Sequence, residues 1–286
     1  MGAPFRARPH QYVDSDPGEC YYIMEHSSGH SLMKKVYSAL IAATISFLFL
    51  SACSGQQHAS EADQRAAQSS YMLAVAFMSG NDATAALAEL LKAEKLDPYN
   101  SDIQNALGLV YFSKEKFAQA IQHFQRAIEL DPNNSDARHN LGTVYLYQGR
   151  YDQAITEFDT ALTNDLYRNR AATFNSLGWA YYKKRDYLRA EESFKKCLDH
   201  DRMYLLAYVN LAKVYVALER YEDARQLLET ALRLNANYLE AMLDLGQVYQ
   251  KLGQPNKAKD LYKKVIEMDP LGQYGARAQE YLSLIE

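Results

Sequence analysis

Six alanines recur along the chain at an almost constant interval: Ala86, Ala120, Ala154, Ala190, Ala224 and Ala258. The step is 34 residues, except between Ala154 and Ala190, where it is 36. An aromatic ring stands nine positions before each of them: Phe77, Tyr111, Tyr145, Tyr181, Tyr215 and Tyr249. A domain with one closed core has no need of so long a period. A stack of supersecondary units does, because each unit buries its apolar face only against its neighbours. The chain is thereby confined to a repeat array, an architecture that displays surfaces to partners more often than it builds catalytic sites.

With the alanine at position 20 of a 34-residue unit, the units run 67–100, 101–134, 135–168, 171–204, 205–238 and 239–272. Position 7 is then leucine throughout: Leu73, Leu107, Leu141, Leu177, Leu211 and Leu245. Position 8 is small: Ala74, Gly108, Gly142, Gly178, Ala212 and Gly246. Position 24 is bulky: Leu90, Phe124, Phe158, Phe194, Leu228 and Tyr262. Small residues let two helix axes approach, and the leucines and rings fill the space around that contact. Asp97-Pro98, Asp131-Pro132 and Asp269-Pro270 mark turns, since proline cannot continue a helical ladder. Together these positions resemble the tetratricopeptide repeat. The resemblance implies an all-α fold, a right-handed superhelix (α-solenoid) of six repeats with two antiparallel helices each. Residues 273–286 carry Ala278, Tyr281, Leu282 and Ile285 at helical spacing, as a capping helix over the last repeat would.

The amino-terminal region carries a different signal. Lys34-Lys35 precedes an apolar run from Val36 to Leu50, followed by Ser51, Ala52 and Cys53. A basic start, an apolar middle and small residues at the end form an export signal, here 33–52. Leu50-Ser51-Ala52-Cys53 resembles the bacterial lipobox, which implies cleavage before Cys53 and a diacylglycerol on its thiol. Ser54 follows where aspartate often marks retention at the inner membrane. The expected location is therefore the periplasmic face of the outer membrane. Residues 1–32 are polar and fit a mis-called start or a leader. The polar stretch 53–66 reads as a flexible tether, with a reach of roughly 20 Å.

A formal net charge of −4 argues against a nucleic-acid partner, which would call for a basic face. The other two cysteines, Cys20 and Cys197, show no metal-type spacing. Cys197 replaces the alanine of other repeats and reads as a small buried residue. No phosphate loop, His-Glu-x-x-His or nucleophile elbow is present. No enzyme activity, cofactor, metal or small-molecule substrate is expected.

In tetratricopeptide arrays the first helix of each repeat lines a concave groove. Carried onto this chain, the lining comprises Tyr71, Met78, Asn105, Leu109, Phe112, His139, Leu146 and Tyr147, then Asn175, Trp179, Tyr182, Val209 and Lys213. Such an apolar, aromatic strip suits an amphipathic helix or an extended hydrophobic segment. The irregular step supplies a further likeness. Leu166-Tyr167 and Arg170, leading into Phe174 and Leu177-Gly178, resemble the segment between the third and fourth repeats of the type IV pilus biogenesis lipoproteins, the pilotins of the PilF/PilW kind. That resemblance implies a scaffold that assists outer-membrane localisation or multimerisation of the secretin. The other reading is a general periplasmic adaptor, for example one presenting substrates to an envelope protease.

Overall fold

The computed structural model describes residues 59–285, which hold thirteen helices and no strand. The first three repeats supply α1 (Glu61–Ser79), α2 (Ala83–Leu96), α3 (Ser101–Ser113), α4 (Phe117–Leu130), α5 (Ser135–Tyr147) and α6 (Tyr151–Leu162). The second three supply α7 (Arg170–Lys183), α8 (Tyr187–His200), α9 (Leu205–Ala217), α10 (Tyr221–Leu234), α11 (Leu239–Lys251) and α12 (Pro255–Met268). A last helix, α13 (Gln273–Ser283), packs on α12 and α11.

Each helix packs on the next, and the first helices of successive repeats also touch: α1 with α3, α3 with α5, and so on to α11. Among the described residues no such contact joins successive second helices. The first helices therefore form the inner layer of the solenoid and the second helices the outer one.

The small-and-bulky pairing has a direct steric cause. A β-carbon on Gly108 would stand 2.5 Å from the Phe124 ring, one on Gly142 2.7 Å from Phe158, and one on Gly178 2.8 Å from Phe194. Gly246 stands in the same relation to Tyr262. Alanine occupies position 8 only in the repeats whose position 24 is leucine: Ala74 with Leu90, and Ala212 with Leu228. The ring needs the missing methyl; the flexible leucine does not. All of these position-24 side chains are fully buried.

The turn between the two helices of every repeat is a Schellman closure. The carbonyl of the position-11 aromatic accepts a 2.8–2.9 Å bond from the residue five ahead, as Lys116 N donates to Tyr111 O and Arg220 N to Tyr215 O. The residue before that donor takes a positive φ. It is glycine at Gly149 and Gly253, but Asn81, Glu115, Arg185 and Glu219 elsewhere.

One boundary differs from the sequence expectation. Helix α1 begins at Glu61, so residues 61–66 are helical and not part of a tether. Ser60 accepts from Asp63 N at 3.2 Å and donates to the Asp63 carboxylate, an N-cap that satisfies an otherwise open helix end. Its polar first turn carries no apolar period, which is why the pattern does not reveal it. Cys53 and the apolar run 36–50 lie outside the described residues.

The insertion between α6 and α7 is built into the fold. Tyr167 is 7% exposed and its phenol lies 3.3 Å from Thr173 Oγ1. Arg170 donates to the carbonyls of Leu162 and Asn164 at 3.0 and 2.9 Å, closing the end of α6 that lacks a proline turn. Asn169 donates to Asp136 at 2.8 Å and Asn164 to Ser135 at 3.2 Å, tying the insertion back to α5.

Candidate protein-binding groove

The inner layer gathers the sequence-predicted residues into two aromatic clusters and a set of interhelical ties. In the first cluster, Tyr147 is 66% exposed and meets Phe112 edge-on at 6.0 Å and Phe117 at 5.1 Å. In the second, Trp179 stacks on Tyr182 at 5.1 Å and 12°, and Tyr182 meets Tyr187 at 5.7 Å. Lys183 lies 4.8 Å from the Trp179 ring centroid and Lys213 5.8 Å from it. These rings are half-buried or exposed and held in place by one another, and the second cluster is flanked by cations. They are pre-positioned amphipathic anchors of the kind that dominate binding energy at interfaces.

Phe117 and Tyr187 were not foreseen. Both open the second helix of their repeat, at position 17, and the Schellman turn folds them back over position 12 of the first helix. Position 17 is aromatic in four repeats (Phe117, Tyr151, Tyr187 and Tyr221), a regularity the sequence does carry.

Other expected groove residues serve the fold. Val209 is fully buried and presents no surface to a partner. Asn175 is 7% exposed and accepts from Asn210 Nδ2 at 3.0 Å. Asn105, half-buried, accepts likewise from Asn140 at 2.9 Å. These carboxamide pairs lock adjacent first helices together, so Val209 and Asn175 are corrected from groove lining to interior. His139 lies 2.8 Å from Thr173 Oγ1 and 5.5 Å from the Phe158 ring. Burial pushes its imidazole below the usual histidine value, which Asp136 only partly offsets. It belongs to the junction with the fourth repeat. Tyr71, Met78, Leu109 and Leu146 are half-buried and pack against the core with one edge open.

Lys213 leaves the groove floor to pair with Glu240 at 2.5 Å, with Asp244 at 3.8 Å. Cys197 is buried, and burial raises its thiol to about 12, so it is an inert packing residue. No group of three or more His, Cys, Asp or Glu converges as a metal site among the described residues. None of the described helices is long and apolar enough to cross a membrane.

Comparison with known proteins gives the same architecture. Models described as tetratricopeptide or TPR repeat match residues 57–101, 108–149, 134–203 and 203–270. No curated protein matches the chain. Among solved structures, PilF of Pseudomonas aeruginosa superposes with a TM-score of 0.69 at 20% identity, covering 77% of this chain and 100% of that one. PilW, described as a widely conserved type IV pilus biogenesis factor, gives 0.70 at 19% identity, covering 74% and 98%. YrrB, a TPR protein with an unusual peptide-binding site, gives 0.53 at 17% identity, covering 67% and 97%. At such identities the likeness is one of fold. With repeat matches extending over most of its length, the chain belongs to the tetratricopeptide-repeat family.

Proposed function

We propose that the protein is a non-enzymatic scaffold of type IV pilus biogenesis, anchored to the periplasmic face of the outer membrane through a lipid on Cys53, and that its inner groove holds a secretin subunit during transport or multimerisation. The observation that carries this reading is the insertion between the third and fourth repeats. Tyr167 and Arg170 give it a defined packing role, and the same segment motivates the likeness to pilus lipoproteins. PilF and PilW, matched over nearly their whole length, support the reading at the level of fold.

The chemistry is that of masking. An unassembled secretin subunit exposes apolar segments, which associate non-specifically unless covered. The rings around Tyr147 and Trp179 offer such segments a rigid apolar bed, and Lys183 and Lys213 beside Trp179 help keep the empty groove soluble. A lipid anchor adds about 0.8 kcal/mol per buried methylene, so two acyl chains hold the scaffold stably at the membrane where assembly takes place.

The test is a photo-crosslinker at position 179 in living cells, combined with a deletion strain and Cys53→Ala. The expected outcome is capture of the secretin, and loss of detergent-resistant secretin rings both in the deletion and in Cys53→Ala. Normal rings and normal pili in the deletion strain overturn the reading.

A further inference from the structure

Between α7, α9 and α11, above Leu228 of α10, the inner layer holds a half-open cavity of about 460 Å³. Val216, Leu228 and Val248 give it an apolar wall; Lys213, Asp244 and Gln250 give it a polar one. Two buried polar atoms of these residues have no hydrogen-bond partner, Asp244 Oδ2 and Gln250 Nε2. Folded proteins rarely leave such atoms open, because each carries its full desolvation penalty.

The charges around Asp244 do not close the account. Lys213 is engaged by Glu240 at 2.5 Å and stays 3.8 Å from Asp244 Oδ2, beyond hydrogen-bond reach. Arg277 of α13 feels both carboxylates, yet its guanidinium donates to Tyr281 Oη at 3.3 Å. Asp244 thus shares one lysine with Glu240, two carboxylates to a single ammonium, and burial lifts its carboxyl to about 6 although Lys213 pulls it down. A neutral occupant would leave one of the two carboxylates in excess. A cation on an aliphatic stem matches both walls at once.

We propose that this cavity receives a lysine or arginine side chain of the polypeptide bound in the groove. The cationic head pairs with Asp244, the methylenes lie along Val216, Leu228 and Val248, and a neighbouring main-chain carbonyl accepts from Gln250 Nε2. The assignment rests on the groove reading above and adds to it a partner chemistry: a basic residue set among apolar ones, docked at the fifth and sixth repeats while the rings of the second to fourth hold the apolar remainder.

The test is selection of a random peptide library, displayed on phage, against the full chain. Enriched peptides are expected to share a lysine or arginine between apolar residues. Their synthetic forms should lose about tenfold or more in affinity, read by the fluorescence anisotropy of a dye on the peptide, when Asp244 becomes Asn. The same loss is expected on the unaltered chain when norleucine replaces the peptide's basic residue, a comparison that needs no protein variant to fold. Asp199→Asn, on the exposed outer layer, should change nothing. Peptides lacking a basic residue, or binding Asp244→Asn undiminished, overturn the cavity assignment. If those peptides still lose binding in Trp179→Ala, the groove reading survives. A library from which the chain enriches nothing overturns both.

Discussion

The junction between the third and fourth repeats and the junction between the fifth and sixth are built from first and second helices in the same order, yet the polar groups around Tyr167 at one are bonded, while at the other two buried polar atoms are not. At the first, the insertion drives Tyr167 into the interior, and Thr173, His139, Asn164, Asn169 and Arg170 all find partners. At the second, the turn runs directly from Asn235 to Tyr238, and Asp244 Oδ2 and Gln250 Nε2 stay without a partner. The three buried side-chain polar atoms without a partner among the described residues, on Asp244, Gln250 and Tyr262, all belong to the sixth repeat. Two extra residues therefore do more than lengthen a loop. They bring the side chains that satisfy the polar groups of a junction, whereas the regular period leaves Asp244 and Gln250 open, at the place proposed above for a partner's basic side chain.

The largest expected effect follows from removing that material. Tyr167→Ala should cost about 3–5 kcal/mol in denaturant unfolding, the usual penalty for emptying a buried aromatic site. It should also separate the unfolding of the first three repeats from that of the last three, since nearest-neighbour contacts carry cooperativity along a solenoid. A loss below about 1 kcal/mol with a single transition would show that Tyr167 fills nothing of consequence, and the contrast between the junctions would collapse.

Much of this was legible beforehand, for identifiable reasons. The coupling of Gly142 to Phe158 and of Ala212 to Leu228 is written in the sequence because one close contact recurs at fixed positions in every repeat. The turn residues were less visible. A left-handed residue is ordinarily glycine, but Glu115, Arg185 and Glu219 take positive φ because the Schellman bonds and the packed helices on either side over-determine the turn. The groove was legible only in part. A family position places a residue on the first helix, but a rotation of a fraction of a turn decides whether it meets solvent, as for Tyr147, or the neighbouring helix, as for Val209. The cavity beside Asp244 had no sequence signature, because it lies in the inner layer formed by three successive first helices. Its shape depends on how side chains from three consecutive repeats meet, which no single repeat position records.

The two junctions should also respond to pH in opposite directions. In the folded protein burial holds the Asp244 carboxyl at about 6 against an ordinary 3.8, so the native state retains a proton that the unfolded chain gives up. Its contribution is fully present below about pH 4 and is lost as pH rises through about 6. His139 behaves inversely. Its folded value is depressed below 6.5, so its contribution is present above that value and is lost as pH falls through the folded one. Asp244→Asn should therefore be near neutral at about pH 4 and stabilising by roughly 2 kcal/mol at about pH 7, while His139→Gln should flatten the acid limb of the stability profile. Unfolding free energies measured across this range decide the matter. An Asp244→Asn difference that does not grow with pH would mean that the carboxylate is already compensated.

The finest distinction comes from removing one hydroxyl at each junction. Tyr167→Phe deletes an oxygen that has a partner in Thr173, and should cost about 1 kcal/mol. Tyr262→Phe deletes a buried oxygen that has none, and should stabilise the chain by about the same amount, because the phenyl ring keeps its place against Gly246 while the desolvation penalty disappears. The two substitutions are chemically identical and differ only in whether the phenol is bonded, so their opposite signs measure the contrast between a closed junction and an open one. Equal signs in thermal or denaturant unfolding would mean that Tyr262 is satisfied in solution, and that the sixth repeat is no more open than the fourth.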